Sequence, residues 1–285
     1  MKNIIIYFIS LFPSAILAKF ENLFSISQGR GYSNPENEAN LILKFAKTKN
    51  LDLKIVFDIG SFHGDYTYEI LKKFPNSSYY LFEPDENNYI ILKKRFFDQK
   101  NLNLLNIAIS NKNEESTFYS YGKGSMQGSL IDQDFSYLNL KNDIKESVKV
   151  MRVDTLFEKF NLDAIDLCKI DVEGNEIKTL LGAGEKIRKI KIIQIEFSRA
   201  SIDSKTFFKD FYKFFKDNNF KIYRITPSKL QKITNYDESL EYFRVSNFVA
   251  VNNDFIEWWC PRTESNCGPI DYKSITKVQR NEKKV

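Results

Sequence analysis

The segment KIVFDIGSFHGDYT, residues 54–67, indicates the fold class of the chain. Its first residues, from Lys54 to Ile59, form a nearly continuous apolar run, which is typical of a parallel strand that is buried on both faces. Gly60 and Gly64 then permit a tight turn in which the backbone approaches a ligand closely, and the helix that follows presents its N-terminus to a carboxylate. A strand, a glycine-bearing turn and a helix in this order predict a doubly wound α/β domain.

The rest of the chain repeats this alternation of strands and helices. Strands are predicted at residues 54–60, 79–82, 102–109, 148–153, 165–172, 191–197, 220–225 and 245–251, helices at 66–74, 87–98, 155–160, 176–181 and 207–218, and short β pieces near 116–121. The last two strands are expected to pair antiparallel. The pattern predicts a mostly parallel sheet with helices on both faces and a terminal antiparallel hairpin.

Three regions of different composition divide the chain. The predicted domain occupies residues 51–253, and an N-terminal apolar helix with a lead-in occupies residues 1–50. The apolar stretch Ile4–Ala18 has the outline of a signal peptide, but Pro13 and Ser14 interrupt it, and it is shorter than the roughly 20 residues of a membrane-spanning helix. We therefore expect a docked helix or one on a membrane surface, with export or anchoring as the alternative.

The third region is the tail, residues 254–285. Its stretch WWCPRTESNCGPIDYKS, residues 258–274, breaks the Lys-, Asn- and Ile-rich composition of the chain and resembles a tRNA gene translated from its opposite strand. We expect this tail to be read-through without a function. A genuine basic tail is the alternative.

Composition excludes several classes of function. The 42 Lys and Arg residues against 37 Asp and Glu give a net charge of +5, but the basic residues are scattered, so no nucleic-acid partner is expected. The single histidine, His63, excludes sites that need two imidazoles. Cys168, Cys260 and Cys267 lack paired spacing, which argues against a disulfide scaffold and a zinc site and favours a reducing compartment. We expect the protein in the cytoplasm. No metal is expected, and the oligomeric state is not indicated.

Acidic residues end the first two strands, where α/β sheets bind ligands. Asp58 and Gly60 end the first strand, and Glu83 ends the second, where a carboxylate can accept both hydrogen bonds of a ribose diol. A dinucleotide fold needs a second glycine where Phe62 lies, because the pyrophosphate must reach the backbone. We therefore expect an adenosine-containing cofactor with an amino-acid end. Alternatively, Asp58 and Glu83 are helix caps or turn acids.

Five segments in a fixed order connect the chain to a family. They are FDIGSFHGDYT (57–67), LFEPD (81–85), NIAIS (106–110), VDTL (153–156) and LCKIDVEGNEIKTLLGAG (167–184). With these motifs the chain resembles the FkbM-type methyltransferases. The resemblance implies a class I methyltransferase fold with a seven-stranded sheet, and methyl transfer from S-adenosylmethionine to a hydroxyl of a sugar, a glycan precursor or a secondary metabolite.

The resemblance also implies the cofactor site. By analogy, Asp58, Gly60 and Gly64 hold the methionine part of S-adenosylmethionine, Glu83 holds the ribose, and Asn106 and Ala108 lie beside the adenine. The neighbouring residues Ser61, Phe62 and Pro84 complete the predicted set. The family often has Ala-Asn where this chain has Ser61-Phe62.

Three carboxylates are the candidates for catalysis. Transfer of a methyl group to a hydroxyl requires alignment of the reactants and removal of a proton, so a carboxylate is needed at the mouth of the site. Asp171 lies near the end of the predicted strand at 165–172, Glu173 follows that strand, and Glu196 lies at the end of the next strand. Asp171 is the first choice and Glu173 the second. An ion-pair network with Lys169 is the structural alternative.

The acceptor is expected to contact the loop GKGSMQGSL, residues 122–130. Gln127 and Ser129 can hydrogen-bond to sugar hydroxyls, although the loop is equally interpreted as a disordered connector. His63 is a candidate general base on the acceptor side, because its ordinary pKa is near neutral, or else it points to solvent.

Two other functions remain open from the sequence. The first is a non-catalytic module that binds S-adenosylmethionine or a nucleotide in a membrane-associated glycan assembly complex. Such a module needs Asp58, Gly60 and Glu83 but has no use for Asp171. The second is a nicotinamide oxidoreductase, which Phe62 opposes.

Overall fold

The protein is an α/β domain with two sheets. The computed structural model describes residues 13–49, 51–138 and 144–255. The helices are α1 (Ser14–Ser27), α2 (Pro35–Thr48), α3 (Asp65–Leu71), α4 (Glu86–Arg95), α5 (Val153–Lys159), α6 (Glu176–Leu181), α7 (Ala200–Asp203) and α8 (Phe208–Asp217). The strands are β1 (Ile55–Ile59), β2 (Ser78–Phe82), β3 (Leu102–Leu105), β4 (Ala108–Ser110), β5 (Glu114–Ser120), β6 (Ile144–Arg152), β7 (Ile165–Ile170), β8 (Ile190–Phe197), β9 (Phe220–Ile225), β10 (Leu230–Ile233) and β11 (Ser246–Asn252).

The larger sheet has the order β10-β9-β11-β8-β7-β1-β2-β3. Strands β3, β2, β1, β7 and β8 are parallel, whereas β11 is antiparallel to both β8 and β9. This is the class I methyltransferase fold that the sequence predicts, and the terminal antiparallel pair is confirmed. The sheet has eight strands rather than seven, because the short edge strand β10 pairs with β9.

The predicted strand at 102–109 is wrong as a single element. The chain leaves the larger sheet after Leu105, and Ala108–Ser110 joins a second sheet of order β4-β6-β5. Asn106 lies at the break, where its Nδ2 donates to the carbonyl oxygens of Glu83 and Pro84, 3.0 Å each. The predicted strand at 148–153 is likewise part of the longer β6, which belongs to this second sheet.

Side chains of β1 pack alternately on two hydrophobic cores. Val56 packs with α2 and α3 on one face of the sheet, and Phe57 and Ile59 pack with α5 on the other. All three side chains are at most 1% exposed. The apolar run of β1 is therefore explained by burial on both faces.

The N-terminal region contributes a helix to the core. α2 lies within the residues assigned to the lead-in, and its Ala39, Ile42 and Ala46 are buried against the sheet. The predicted apolar helix at 4–18 falls mostly outside the described residues, and α1 begins at Ser14, after Pro13. Most of the predicted tail, residues 256–285, also lies outside the described residues. Among the described residues, no helix is long and apolar enough to cross a bilayer.

Glu38 anchors α2 to the end of the larger sheet. Its Oε1 accepts hydrogen bonds from Asn34 N at 2.9 Å and Asn247 Nδ2 at 3.1 Å, and its Oε2 accepts one from Gln194 Nε2 at 2.8 Å. Glu38 is 2% exposed. A buried carboxylate of this kind is tolerated because donors surround it. Its hydrogen bonds fix the N-terminal region against β8 and β11.

We expect Glu38→Gln to lower the free energy of unfolding by about 1–3 kcal/mol, because the new amide group cannot accept the hydrogen bonds that the lost oxygen accepted. Urea unfolding followed by circular dichroism measures the loss. Glu36→Gln, in the exposed first turn of the same helix, is the matched control and should change stability by less than about 0.5 kcal/mol. Equal stability of the two variants would contradict an anchoring role for Glu38.

Candidate active site

A cavity of about 310 Å³ opens at the carboxyl ends of the central parallel strands. Residues of the loops that follow β1, β2 and β7 line it. The predicted site residues that line it are Gly60, Ser61, Phe62, Glu83, Pro84, Ala108, Ser129, Asp171, Glu173 and Glu196. The position agrees with the general rule that open α/β sheets bind ligands at this edge.

Two glycines shape the loop after β1. Gly60 has a φ of 80°, and a Cβ at this position would overlap the carbonyl oxygen of Asp171. Gly64 has a φ of 79°, and a Cβ there would overlap the ring of Phe96. Both positions therefore require glycine for backbone conformation and for space. Gly64 packs against Phe96 and does not line the cavity, whereas Gly60 does.

Asp58 and Glu83 occupy different levels of the site. Asp58 lies beneath the loop, where its Oδ2 accepts a hydrogen bond from Thr67 Oγ1 at 2.6 Å and burial raises its pKa. Glu83 lines the cavity, and its carboxylate accepts hydrogen bonds from Phe62 N at 2.8 Å and Asp85 N at 3.1 Å. Burial raises the pKa of Glu83 to about 8, although these two hydrogen bonds oppose the rise. Only Glu83 is placed to contact a ligand directly.

Asn106 lies at the strand break, and Ala108 begins the strand that follows it. Ala108 lines the cavity together with Ile107 and Ile109. Asn106 is exposed and holds the backbone of the Glu83-Pro84 turn through its side-chain amide. The structure thus gives Asn106 a supporting position and leaves the apolar wall to its neighbours.

The three predicted catalytic carboxylates lie together. One oxygen each of Asp171, Glu173 and Glu196 lies within 4.8 Å of the others. Asp171 Oδ2 also accepts a hydrogen bond from Lys169 Nζ at 2.8 Å, so the ion pair considered as the structural alternative is present. Glu173 has a φ of 51°, an uncommon conformation for a residue with a side chain. Three such oxygens could hold a divalent cation or share protons.

The charges of this cluster influence one another. Burial, together with the charges of Asp171 and Glu176, raises the pKa of Glu173 to about 8. Burial and the same neighbours raise the pKa of Glu196 well above its ordinary value. Burial alone would lower the pKa of Lys169, but the carboxylates of Asp171 and Asp58 outweigh it and hold that pKa high. At neutral pH the cluster therefore contains a charged lysine beside carboxyl groups that retain protons.

The predicted acceptor residues do not converge on one place. Ser129 Oγ donates to the carbonyl oxygen of Glu173 at 2.7 Å and accepts from Ile131 N at 3.0 Å, so its hydroxyl supports the carboxylate loop. Gln127 lines a neighbouring cavity of about 460 Å³ that Glu173 and Glu196 also line. The ring of His63 stacks on that of Phe62, and its Nε2 lies 3.2 Å from Asn88 Oδ1. His63 lines neither cavity.

Part of the cavity wall consists of residues that no local sequence pattern identifies as site residues. Ser33, Pro35 and Glu38 reach it from the N-terminal region, and Tyr66 reaches it from α3. No spacing rule connects residues 33–38 with a site that begins at Gly60. The pairing of Asn34 with Pro35 is a helix-start signal that would have located α2, but the contact with the cavity follows from tertiary packing.

Comparisons with known proteins agree with this architecture. The family described as the methyltransferase FkbM domain matches residues 58–222. The 2-O-methyltransferase NoeI of Sinorhizobium fredii is 26% identical over 154 residues, which cover 50% of this chain and 63% of that protein. The chain thus spans less than two thirds of this curated relative.

Solved structures of methyltransferases are also similar. Methyltransferase FkbM from Methylobacillus flagellatus has a TM-score of 0.43 at 15% identity, and the match covers 69% of this chain and 43% of that one. An S-adenosylmethionine-dependent methyltransferase from Clostridium acetobutylicum has a TM-score of 0.43 at 10% identity, covering 83% and 99%. Since the family match extends over more than half of the sequence, the chain belongs to the FkbM methyltransferase family.

Proposed function

We propose that the protein is an S-adenosylmethionine-dependent O-methyltransferase. The observation that carries this proposal is one cavity that joins Glu83 to the acidic cluster around Asp171. A carboxylate suited to a ribose and a carboxylate suited to a proton transfer thus face the same space. Membership of the family supports the same reaction.

The residues of the cavity fit this cofactor. Each carboxylate oxygen of Glu83 accepts one hydrogen bond from a backbone N–H group. Each oxygen could accept a further hydrogen bond from a hydroxyl group of the ribose. Gly60 leaves its backbone open to the cavity, and Ile107, Ala108 and Ile109 offer an apolar wall for an adenine. S-adenosylmethionine supplies a methyl group bound to a positively charged sulfur.

Asp171 is the proposed acceptor of the proton. Its Oδ2 is held by Lys169 Nζ, which fixes the carboxylate and leaves Oδ1 to accept the proton of a hydroxyl. Glu173 and Glu196 lie beside it with raised pKa values, and in protonated form they donate hydrogen bonds to the acceptor. The order of preference among the three carboxylates therefore stays as predicted.

The neighbouring cavity of about 460 Å³ is the proposed acceptor site. It shares Ser33, Glu173 and Glu196 with the cofactor cavity, and it adds Gln127 and the aromatic rings of Phe135 and Phe243. Amide groups and aromatic faces are the usual partners of sugar hydroxyls and sugar rings. A sugar or glycan precursor is thus the favoured acceptor class, in agreement with the name of the curated relative.

Helix α1 is a proposed contact with the surface of a membrane. Its side chains Ile16, Phe20, Leu23 and Phe24 are 41–66% exposed although they are apolar. An apolar helix face of this kind is typical of helices that lie in the membrane interface. We place the enzyme in the cytoplasm, where S-adenosylmethionine is made. The proposed catalytic domain comprises residues 51–253 together with α2, which packs on the sheet and contributes Glu38 to the cavity. The tail at 254–285 is proposed to be dispensable.

Cofactor binding should depend on pH through Glu83. Because the ribose requires the ionised form and the pKa of the free carboxyl is about 8, the affinity for S-adenosylhomocysteine should rise by up to about tenfold per pH unit from pH 6 to 8. Isothermal titration calorimetry measures this affinity at each pH. Glu83→Gln should bind about tenfold or more weakly and without this pH dependence, while Glu86→Gln, exposed on α4, should match the wild type. Tighter binding of NAD than of S-adenosylhomocysteine would refute the proposed cofactor.

Replacement of Asp171 separates catalysis from structure. Asp171→Asn keeps the shape but cannot take a proton, so turnover per folded molecule should fall about a hundredfold or more. The melting temperature should fall as well, because the buried Lys169 loses its ion-pair partner. The slow loss of the methyl group from S-adenosylmethionine to water serves as the assay until an acceptor is found. Asp163→Asn, at an exposed position, is the control. A lowered melting temperature with preserved turnover would make Asp171 only a structural partner of Lys169. If the wild type binds the cofactor but shows no turnover, the non-catalytic binding module would be favoured.

The protonated state of Glu173 has a consequence for stability. Its pKa in the folded protein is raised, so the folded state binds more protons than the unfolded state between about pH 4.5 and 8, and stability should fall as the pH rises through this window. Glu173→Gln should reduce the fall by about 1 kcal/mol or more. Urea unfolding at pH 5.5 and pH 8 tests this, with Glu185→Gln as the exposed control. An identical fall in Glu173→Gln and the wild type would show that Glu173 is ionised at both pH values.

A further inference from the structure

A third cavity lies at the β10 edge of the larger sheet. It has a volume of about 320 Å³ and lies between the end of α1, strands β9 and β10, and the turn that precedes Leu240. None of its lining residues lines the cofactor cavity or the acceptor cavity. Arg30, Arg224 and Lys232 contribute three basic side chains, and Asp237 contributes one acidic side chain. The excess positive charge distinguishes this cavity from the acidic active site.

The buried Arg224 and the half-buried Arg30 have few hydrogen-bond partners for their guanidinium groups. Arg224 is 5% exposed, and its Nη1 donates one long hydrogen bond of 3.4 Å to Gln28 O. Arg30 Nη2 donates to Ser239 O at 2.8 Å. The Nε atoms of both side chains are buried and lack a hydrogen-bond partner within the part of the chain that the structure describes. Neither guanidinium forms an ion pair within residues 13–49, 51–138 and 144–255.

Arg224 is a buried charge without an ion pair, and the half-buried Arg30 beside it carries a like charge, which is unfavourable. Burial and the charge of Arg30 lower the pKa of Arg224 to about 10, so the group remains protonated at neutral pH at a cost in free energy. Arg30 lies 5.3 Å from the ring centre of Tyr242 and Arg224 lies 5.5 Å from that of Phe248, which compensates part of this cost. Asp237 uses its Oδ1 to accept from Ser239 N. An anion would satisfy the remaining donors.

We propose that Arg30 and Arg224 form a binding site for a phosphate group. Guanidinium groups present paired N–H donors whose geometry matches the oxygens of a phosphate, and a buried setting strengthens the interaction. The site lies at the end of α1, where Phe24 lines the cavity and is itself 66% exposed. A phosphate in the cavity would thus lie beside an apolar helix face, as the headgroup of an anionic lipid does.

Isothermal titration of the full chain with inorganic phosphate at low ionic strength tests the site. Arg224→Met and Arg30→Met should each weaken phosphate binding at least tenfold, whereas Arg188→Met, at an exposed position, should not. Arg224→Met should also melt no lower than the wild type without phosphate, because it removes a buried charge. If Arg224→Met folds poorly, the phosphate affinity of Arg30→Met still tests the proposal. Equal affinity in the wild type and both variants would overturn the proposal.

Sedimentation with vesicles distinguishes the source of the phosphate. Vesicles of phosphatidylcholine that contain phosphatidic acid should bind the wild type more tightly than the two arginine variants if a lipid headgroup occupies the site. If the wild type binds inorganic phosphate but all variants sediment equally with the vesicles, the site would be assigned to a soluble phosphate ester. All variants should bind S-adenosylhomocysteine like the wild type, so failure at this site leaves the proposed methyl transfer untouched.

Discussion

The contact between Gly60 and the carbonyl oxygen of Asp171 is the constraint on which the site depends. β1 and β7 are neighbours in the sheet, and Asp171 N donates to Ile59 O at 2.9 Å, so the two strands end at the same level. Gly60 N donates to Phe82 O at 2.9 Å, which adds the end of β2. Only a residue without a Cβ fits here. These backbone contacts therefore bring together the three loops that carry the cofactor carboxylate and the acidic cluster.

The acidic cluster shows how a buried site holds several carboxyl groups in a small space. One lysine, Lys169, compensates Asp171, and the remaining two groups, Glu173 and Glu196, reduce their repulsion by retaining protons. Burial also raises the pKa of Glu176, to about 7. N–H groups of Val172 and Gly174 donate to its carboxyl group, which opposes the rise and holds the turn together. The cluster thus combines groups of different protonation within one cavity, and this is the condition for separate roles in proton transfer.

The parts of the fold that local pattern determines were predictable from the sequence. The strand β1, the glycine turn and the pairing of β9 with β11 follow from apolar runs and glycine positions, and Glu83 and Asp171 follow as the residues that end strands. The split at Asn106 was not predictable, because the side chain stops the strand by bonding to a distant turn. The contribution of α2 to the cavity and the supporting role of Ser129 likewise depend on contacts between segments that are remote in sequence.

The position of β11 has a consequence for how the chain assembles during synthesis. β11 lies between β8 and β9, so these two earlier strands cannot pair with each other in the final sheet. A nascent chain that has left the ribosome only as far as β9 has an unpaired edge on β8 and a row of exposed apolar residues. Completion of the sheet must wait for Ser246–Asn252, and until then the exposed edges of β8 and β9 are the places at which a chaperone would protect the emerging protein.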